Sequence, residues 1–169
     1  IVFGDWSSDV CSSDLMLRDE LSLFIDRQGI EKISENTVEL MNYLLELYNT
    51  AKLKKPTKPL IGTYIYHSPC HVCAMGQKGV TLELLKKLTG MDFVDVSAGC
   101  CGMAGTAGMQ KKKYDMSIEI GSALAKAIND SPADTVITEC SACKMQIEHM
   151  TGKKTVHPIK LLNKIYGID

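Results

Sequence analysis

The chain has 169 residues, 45% of them hydrophobic and 23% charged, with 19 Lys and Arg against 20 Asp and Glu. These values fit one globular domain, or one with a small extension, and exclude a disordered chain, a collagen-like repeat and a coiled coil. The net charge of −1 excludes a surface built to embrace nucleic acid, and no run of about 18 apolar residues is there to cross a membrane.

Residues 1–15 lack helix or strand periodicity. Their DWSSDVCSSDL string resembles the translated read-through of a sequencing-library adapter. It is set outside the fold as a tag would be, and it implies that the natural product extends further upstream. Without Asp5, Asp9 and Asp14 the remainder carries a charge of +2. Residues 16–59 read as a helical lead-in and linker. A short amphipathic stretch spans 19–28. A longer one spans 31–53, where Ile33, Val38, Met41, Leu44, Leu45 and Tyr48 recur at helical spacing as a core stripe. The segment KLKKPTKP at 52–59 cannot continue a helix, because its prolines lack the backbone donor.

From residue 60 the pattern changes. LIGTYIY at 60–66 is β-branched and aromatic and predicts a buried strand. A helix is predicted over 80–88, an alternating strand over 92–96, and a long helix over 110–129 with Tyr114, Ile118, Ile120, Leu124 and Ile128 on its apolar face. A strand at 134–138, a helix at 141–150 and a strand at 154–156 follow. The last helix, 158–166, has proline in its first turn. Strands alternating with helices predict an α/β fold over 60–169: a parallel sheet of about four strands, flanked by helices, with right-handed crossovers.

Seven cysteines are present, and six lie between Cys70 and Cys143. No secretory signal precedes them, so the reading is a reducing compartment, where clustered thiols bind metal or do chemistry. Cys70 follows the first predicted strand, Cys100 and Cys101 the second, and Cys140 and Cys143 the third. The carboxyl ends of parallel strands share one edge, where ligands bind. Loops at that edge feed helix N-termini, whose free N–H groups favour thiolate. Gly99, Gly102, Gly105 and Gly108 surround the cysteine pair in SAGCCGMAGTAG. Glycine lets backbone approach an inorganic core, and Gly102 and Gly105 are the expected backbone donors. His157 follows the fourth strand and either caps the last helix or lines the site.

Cys140 and Cys143 alone fit zinc, iron–sulfur or a dithiol. The vicinal pair is awkward around one ion and suits a polynuclear cluster, in which neighbouring thiolates bind different irons. Cys73 is read as a bystander, with a spare ligand or a resolving thiol as the other readings. His67 and His71 are read as structural, Tyr64, Tyr66 and Tyr114 as core, and Lys111–Lys113 as a solvated first turn. Glu139 and Glu148 lack a partner acid, so no general acid–base pair is expected.

The segments YHSPCH, AGCCGMAGTAG, ECSACKMQIEH and HPIKLL, with one Cys, then a Cys pair, then C-x-x-C, resemble the cysteine-rich CCG domain of heterodisulfide-reductase-type iron–sulfur oxidoreductases. Within that group they resemble the C-terminal repeat of the C subunits of anaerobic glycerol-3-phosphate dehydrogenases. The likeness covers about residues 35–167. It implies an iron–sulfur cluster, of the [4Fe–4S] type, held by Cys70, Cys100, Cys101, Cys140 and Cys143. It also implies electron transfer from a flavin dehydrogenase partner toward a quinone-linked membrane partner, in the cytoplasm at the inner face of the membrane. Substrate chemistry would then lie on a partner. Cys73 is additional to the family pattern, and the gaps between the cysteines differ slightly from it. A zinc-stabilised structural or interaction module, and a heterodisulfide or thiol–disulfide reductase, are the alternatives.

Overall fold

The computed structural model describes residues 15–25, 28–96 and 98–168; residues 1–14 of the adapter-like string lie outside them. Four short strands, β1 (Tyr64–Tyr66), β2 (Val94–Asp95), β3 (Thr135–Ile137) and β4 (Lys154–Val156), form one sheet. All pairs are parallel and the order is β2-β1-β3-β4. Eight α-helices accompany them among the described residues: α1 (Leu21–Phe24), α2 (Ile30–Asn36), α3 (Leu40–Asn49), α4 (Cys70–Ala74), α5 (Val80–Thr89), α6 (Tyr114–Asp130), α7 (Ser141–Thr151) and α8 (Pro158–Tyr166). The expected α/β class and strand number are found.

Side chains of a strand alternate between faces, so each face gathers its own core. Ile65 and Val136 pack with Leu124 and Ile128 of α6 and Ile147 of α7. Tyr66 and Ile137 pack with Leu84 and Leu85 of α5, Leu161 and Ile165 of α8, and Met41 and Leu45 of α3. The N-terminal helix α3 therefore belongs to the covering of the second face.

Several predicted elements change. The stretch 31–53 is two helices. Glu39 interrupts it in extended conformation and caps α3, its carboxylate accepting the Asn42 N–H at 2.8 Å. The break turns Ile33 and Val38 out to solvent and leaves Met41 and Leu45 in the core. The strand predicted from 60 begins only at Tyr64, because Gly62 bends the chain at φ +126° and leaves Ile61 exposed. Strand β2 is two residues long and lies at the sheet edge, where Val94 is 66% exposed. Helix α6 starts at Tyr114 rather than 110, so Lys111–Lys113 lie in the turn before it and are exposed. Tyr114, read as core, is 42% exposed, and its hydroxyl meets His149 Nε2 at 2.7 Å. The buried face of α6 carries Ser117, Gly121, Leu124, Ala125 and Ile128, not Ile118 and Ile120. Ser117 and Gly121 mark where the site is built.

Candidate functional site

The strand order places β1 between β2 and β3, so successive connections leave β1 and β3 in opposite directions. Such a switch point opens a crevice beyond the carboxyl ends of the strands. There the structure has an open cavity of about 310 Å³. Cys70 and Cys73 of α4 line it after β1, Cys100 and Cys101 after β2, and Cys143 of α7 after β3. Cys140 caps α7, its Sγ accepting the Cys143 N–H at 3.4 Å, and its charge acts on Cys70, Cys101 and Cys143. Thiols from three separate strand ends are thus brought to one rim. Cys101, Cys140 and Cys143 are buried, whereas Cys70, Cys73 and Cys100 are exposed.

What sets the depth of the pair is a close approach between its loop and α6. Gly102 has φ +88°, and a Cβ there would lie 2.1 Å from the Ser117 carbonyl oxygen. A Cβ on Gly121 would lie 2.5 Å from the Cys101 carbonyl oxygen. Backbone meets backbone at both points, so only glycine fits. The Ser117 hydroxyl donates to the Gly102 carbonyl at 2.9 Å, and Gln146 Nε2 of α7 donates to the Ser117 hydroxyl at 3.0 Å. The Gly102 N–H in turn donates to Cys100 Sγ at 3.3 Å. Ser117, Gly121 and Gln146 were not read as site residues. The available signal was a pair of small residues four positions apart within an amphipathic helix, a spacing that puts both on one face.

The electrostatics separate the thiols. The Cys143 S–H donates to Cys101 Sγ at 3.1 Å. That bond, which outweighs burial, brings Cys101 down to about 7, while donating pushes Cys143 up. Burial, with the charges of Cys100, Cys140 and Cys101, raises Cys70. Cys101 is therefore lowered chiefly by a neighbouring thiol rather than by a helix N-terminus, and Cys70, at the start of α4, is raised because desolvation wins. Burial lowers His67, which also lines the cavity.

Two polar ties brace the strand ends. Asp95, closing β2, accepts from the Ser68 hydroxyl at 2.9 Å and pairs with Lys78 at 3.7 Å. Glu139, immediately before Cys140, is buried and accepts from the hydroxyls of Tyr66 (2.8 Å) and Thr81. Burial pushes its carboxyl up to about 7 against the pull of those hydroxyls, and the nearby Glu39 raises it further. Tyr66, read as plain core, carries a buried polar bond.

Of the expected ligands, Cys140 is not among the cavity-lining residues, and neither are the expected Gly105 and His157. Gly105 has φ +65° and open space where a Cβ would go, and it is not among the cavity-lining residues. His157 is likewise outside that lining and caps α8, its Nδ1 accepting the Ile159 N–H at 3.1 Å. Burial takes His157 from the usual 6.5 down to about 4. The folded protein therefore resists a proton that the unfolded chain accepts. The stability from a neutral His157 is fully present above pH 6.5 and is lost as pH falls toward 4. Between about pH 7 and about pH 4.5 this contribution loses about 2–3 kcal/mol. Urea unfolding at the two pH values checks it: His157→Asn keeps a capping side chain and is expected to shed that part of the acid sensitivity. An equal loss in wild type and variant would contradict the assignment.

The chain is similar in sequence to several known proteins. The chain is 38% identical over 158 residues to the C subunit of the anaerobic glycerol-3-phosphate dehydrogenase of Escherichia coli (strain K12), covering 92% of this chain and 38% of that protein. It is 39% identical over 92 residues to an uncharacterized iron–sulfur protein of Methanocaldococcus jannaschii, covering 53% of this chain and 18% of that protein. It is 26% identical over 116 residues to the D subunit of the dihydromethanophenazine:CoB–CoM heterodisulfide reductase of Methanosarcina barkeri, covering 65% of this chain and 28% of that protein. The chain thus spans less than two-fifths of the length of these relatives. Residues 64–148, from the start of β1 into α7, match the cysteine-rich domain family designated CCG, and on that match over half its length the chain belongs to the CCG cysteine-rich family.

Proposed function

We propose that this chain is the iron–sulfur cluster-binding, electron-transfer domain of an anaerobic oxidoreductase. It would take electrons from a flavin dehydrogenase partner and pass them toward a quinone-linked partner at the inner face of the membrane. The observation that carries this reading is the cavity itself, where thiols from three successive strand ends line one space. Soft thiolate donors select iron–sulfur clusters, zinc or cuprous ion. Cys100 and Cys101, neighbours in the chain, both line the cavity; such a pair is awkward around one ion and suits a polynuclear group. The names of the relatives support the same reading: an iron–sulfur protein, part of a glycerol-3-phosphate dehydrogenase and part of a heterodisulfide reductase.

Cys70, Cys100, Cys101, Cys140 and Cys143 would hold the cluster, which supplies one-electron transfer when bound. The chain's own residues do the rest. Ser117 and Gln146 hold the pair's loop at its depth, and the Gly102 N–H holds Cys100 Sγ. The buried positions of Cys101, Cys140 and Cys143 keep water from the inner wall. The Asp95–Ser68 and Glu139–Tyr66 bonds hold neighbouring strand ends together, so little reorganisation accompanies a change of charge. No helix among the described residues is long and apolar enough to cross a membrane, so membrane contact in this scheme runs through the partner.

Anaerobic reconstitution of the full chain with ferrous iron and sulfide tests the proposal. About four irons and four sulfides per chain, with a broad visible band that bleaches on reduction, are expected. One zinc per chain with a featureless visible spectrum, and no retained iron, would replace this reading with a zinc-stabilised module.

A further inference from the structure

Cys73 is the one described cysteine that neither the family pattern nor the ligand set above uses, yet it lines the cavity and is exposed to it. It stands three residues after Cys70 on α4, the helix that follows closely on the end of β1. Residues three apart on a helix share a face about one turn from each other. Side chains on a helix also lean back over the turn N-terminal to their own Cα. Cys73 is therefore directed over the turn that carries Cys70. Cys70 in turn lines the same cavity as Cys100, Cys101 and Cys143. The deep wall has no such duplicate: Cys101 and Cys143 are buried in contact at 3.1 Å, and Cys140 is buried at the cap of α7. Among the described residues, only the exposed rim carries two thiols within one short helix.

We propose that Cys73 is an alternate ligand at this site, able to replace Cys70 on the iron nearest α4. The inference rests on the cluster reading of the cavity. The exchange is not a redox step: the Cys73 thiol gives its proton to water as its sulfur binds iron, and the released Cys70 sulfur takes up a proton. No electron leaves or enters the chain. Such a pair makes the rim iron the exchangeable corner of the site, while the buried thiols hold the rest in place.

The test loads wild type, Cys70→Ala, Cys73→Ala and the double variant anaerobically with ferrous iron and sulfide. Iron, sulfide and the visible and electron paramagnetic resonance spectra are read, with circular dichroism as the control for folding. Cys70→Ala is expected to keep at least about half of the wild-type iron with a shifted spectrum, Cys73→Ala to load as wild type, and the double variant to lose about tenfold. Alkylation followed by mass spectrometry gives a second readout: Cys73 reacts in loaded wild type and is protected in loaded Cys70→Ala. If Cys70→Ala alone loses the iron, or if Cys73 stays reactive in that variant, the alternate-ligand role is overturned. If wild type itself takes up no iron and sulfide, it is the cluster reading that fails.

Discussion

Replacing Gly102 with alanine is expected to cost the fold about 3 kcal/mol or more and to abolish cluster loading. Two effects add. The backbone at φ +88° disfavours any side chain, and the new Cβ would lie 2.1 Å from the Ser117 carbonyl oxygen. That oxygen belongs to the backbone of a seventeen-residue helix packed into the first core, so it cannot swing aside as a flexible side chain would. The strain is relieved only by lifting the loop, which carries Cys100 and Cys101 away from Cys143. Gly105→Ala is the matched control. Its φ is also positive, at +65°, but nothing lies within 4 Å of the new Cβ, so it is expected to cost only about 1 kcal/mol. Urea unfolding gives the two stabilities and iron content gives the loading. Similar losses for both variants would show that backbone conformation, not the contact with α6, decides the result.

Cys101→Ala is expected to leave a folded protein that retains less than about a tenth of the wild-type iron. Altering groups that merely support a metal ligand costs roughly 10–100-fold in affinity, and removing a ligand costs at least as much. Cys101 is drawn toward the thiolate form, because Cys143 donates to it. It is also buried, so water is poorly placed to substitute for it. The fold loses only a small side chain, at a cost on the order of 1 kcal/mol. Iron analysis and the visible spectrum after anaerobic loading give the result, with the unfolding midpoint alongside. Full iron retention in this variant would remove Cys101 from the ligand set.

The architecture was legible in the residues because its determinants are local. Strands β3 and β4 and helices α5, α7 and α8 appear within a residue or two of their predicted spans, since each pairs a periodic apolar pattern with a clear stop. The failures were also local in cause. A helix-period stripe continued through Glu39 could not show that this buried glutamate breaks the helix in extended conformation and caps a new one. A β-branched run counted from Leu60 could not show that Gly62 bends the chain before the strand begins. At α6, large apolar side chains drew attention to Ile118 and Ile120, while the face that matters carries Ser117 and Gly121.

From its order of residues alone, this chain dictates an alternating parallel sheet and puts each cysteine group just past a strand. That follows from hydrophobic period and turn chemistry, both of which act over a few neighbours. Tertiary structure alone decided which thiols are buried, which two touch, that Cys73 shares the cavity and that Glu139 is held by Tyr66 and Thr81. These outcomes depend on close packing between segments far apart in the chain, where a few tenths of an ångström separate a glycine that fits from an alanine that does not. No local pattern carries that distance.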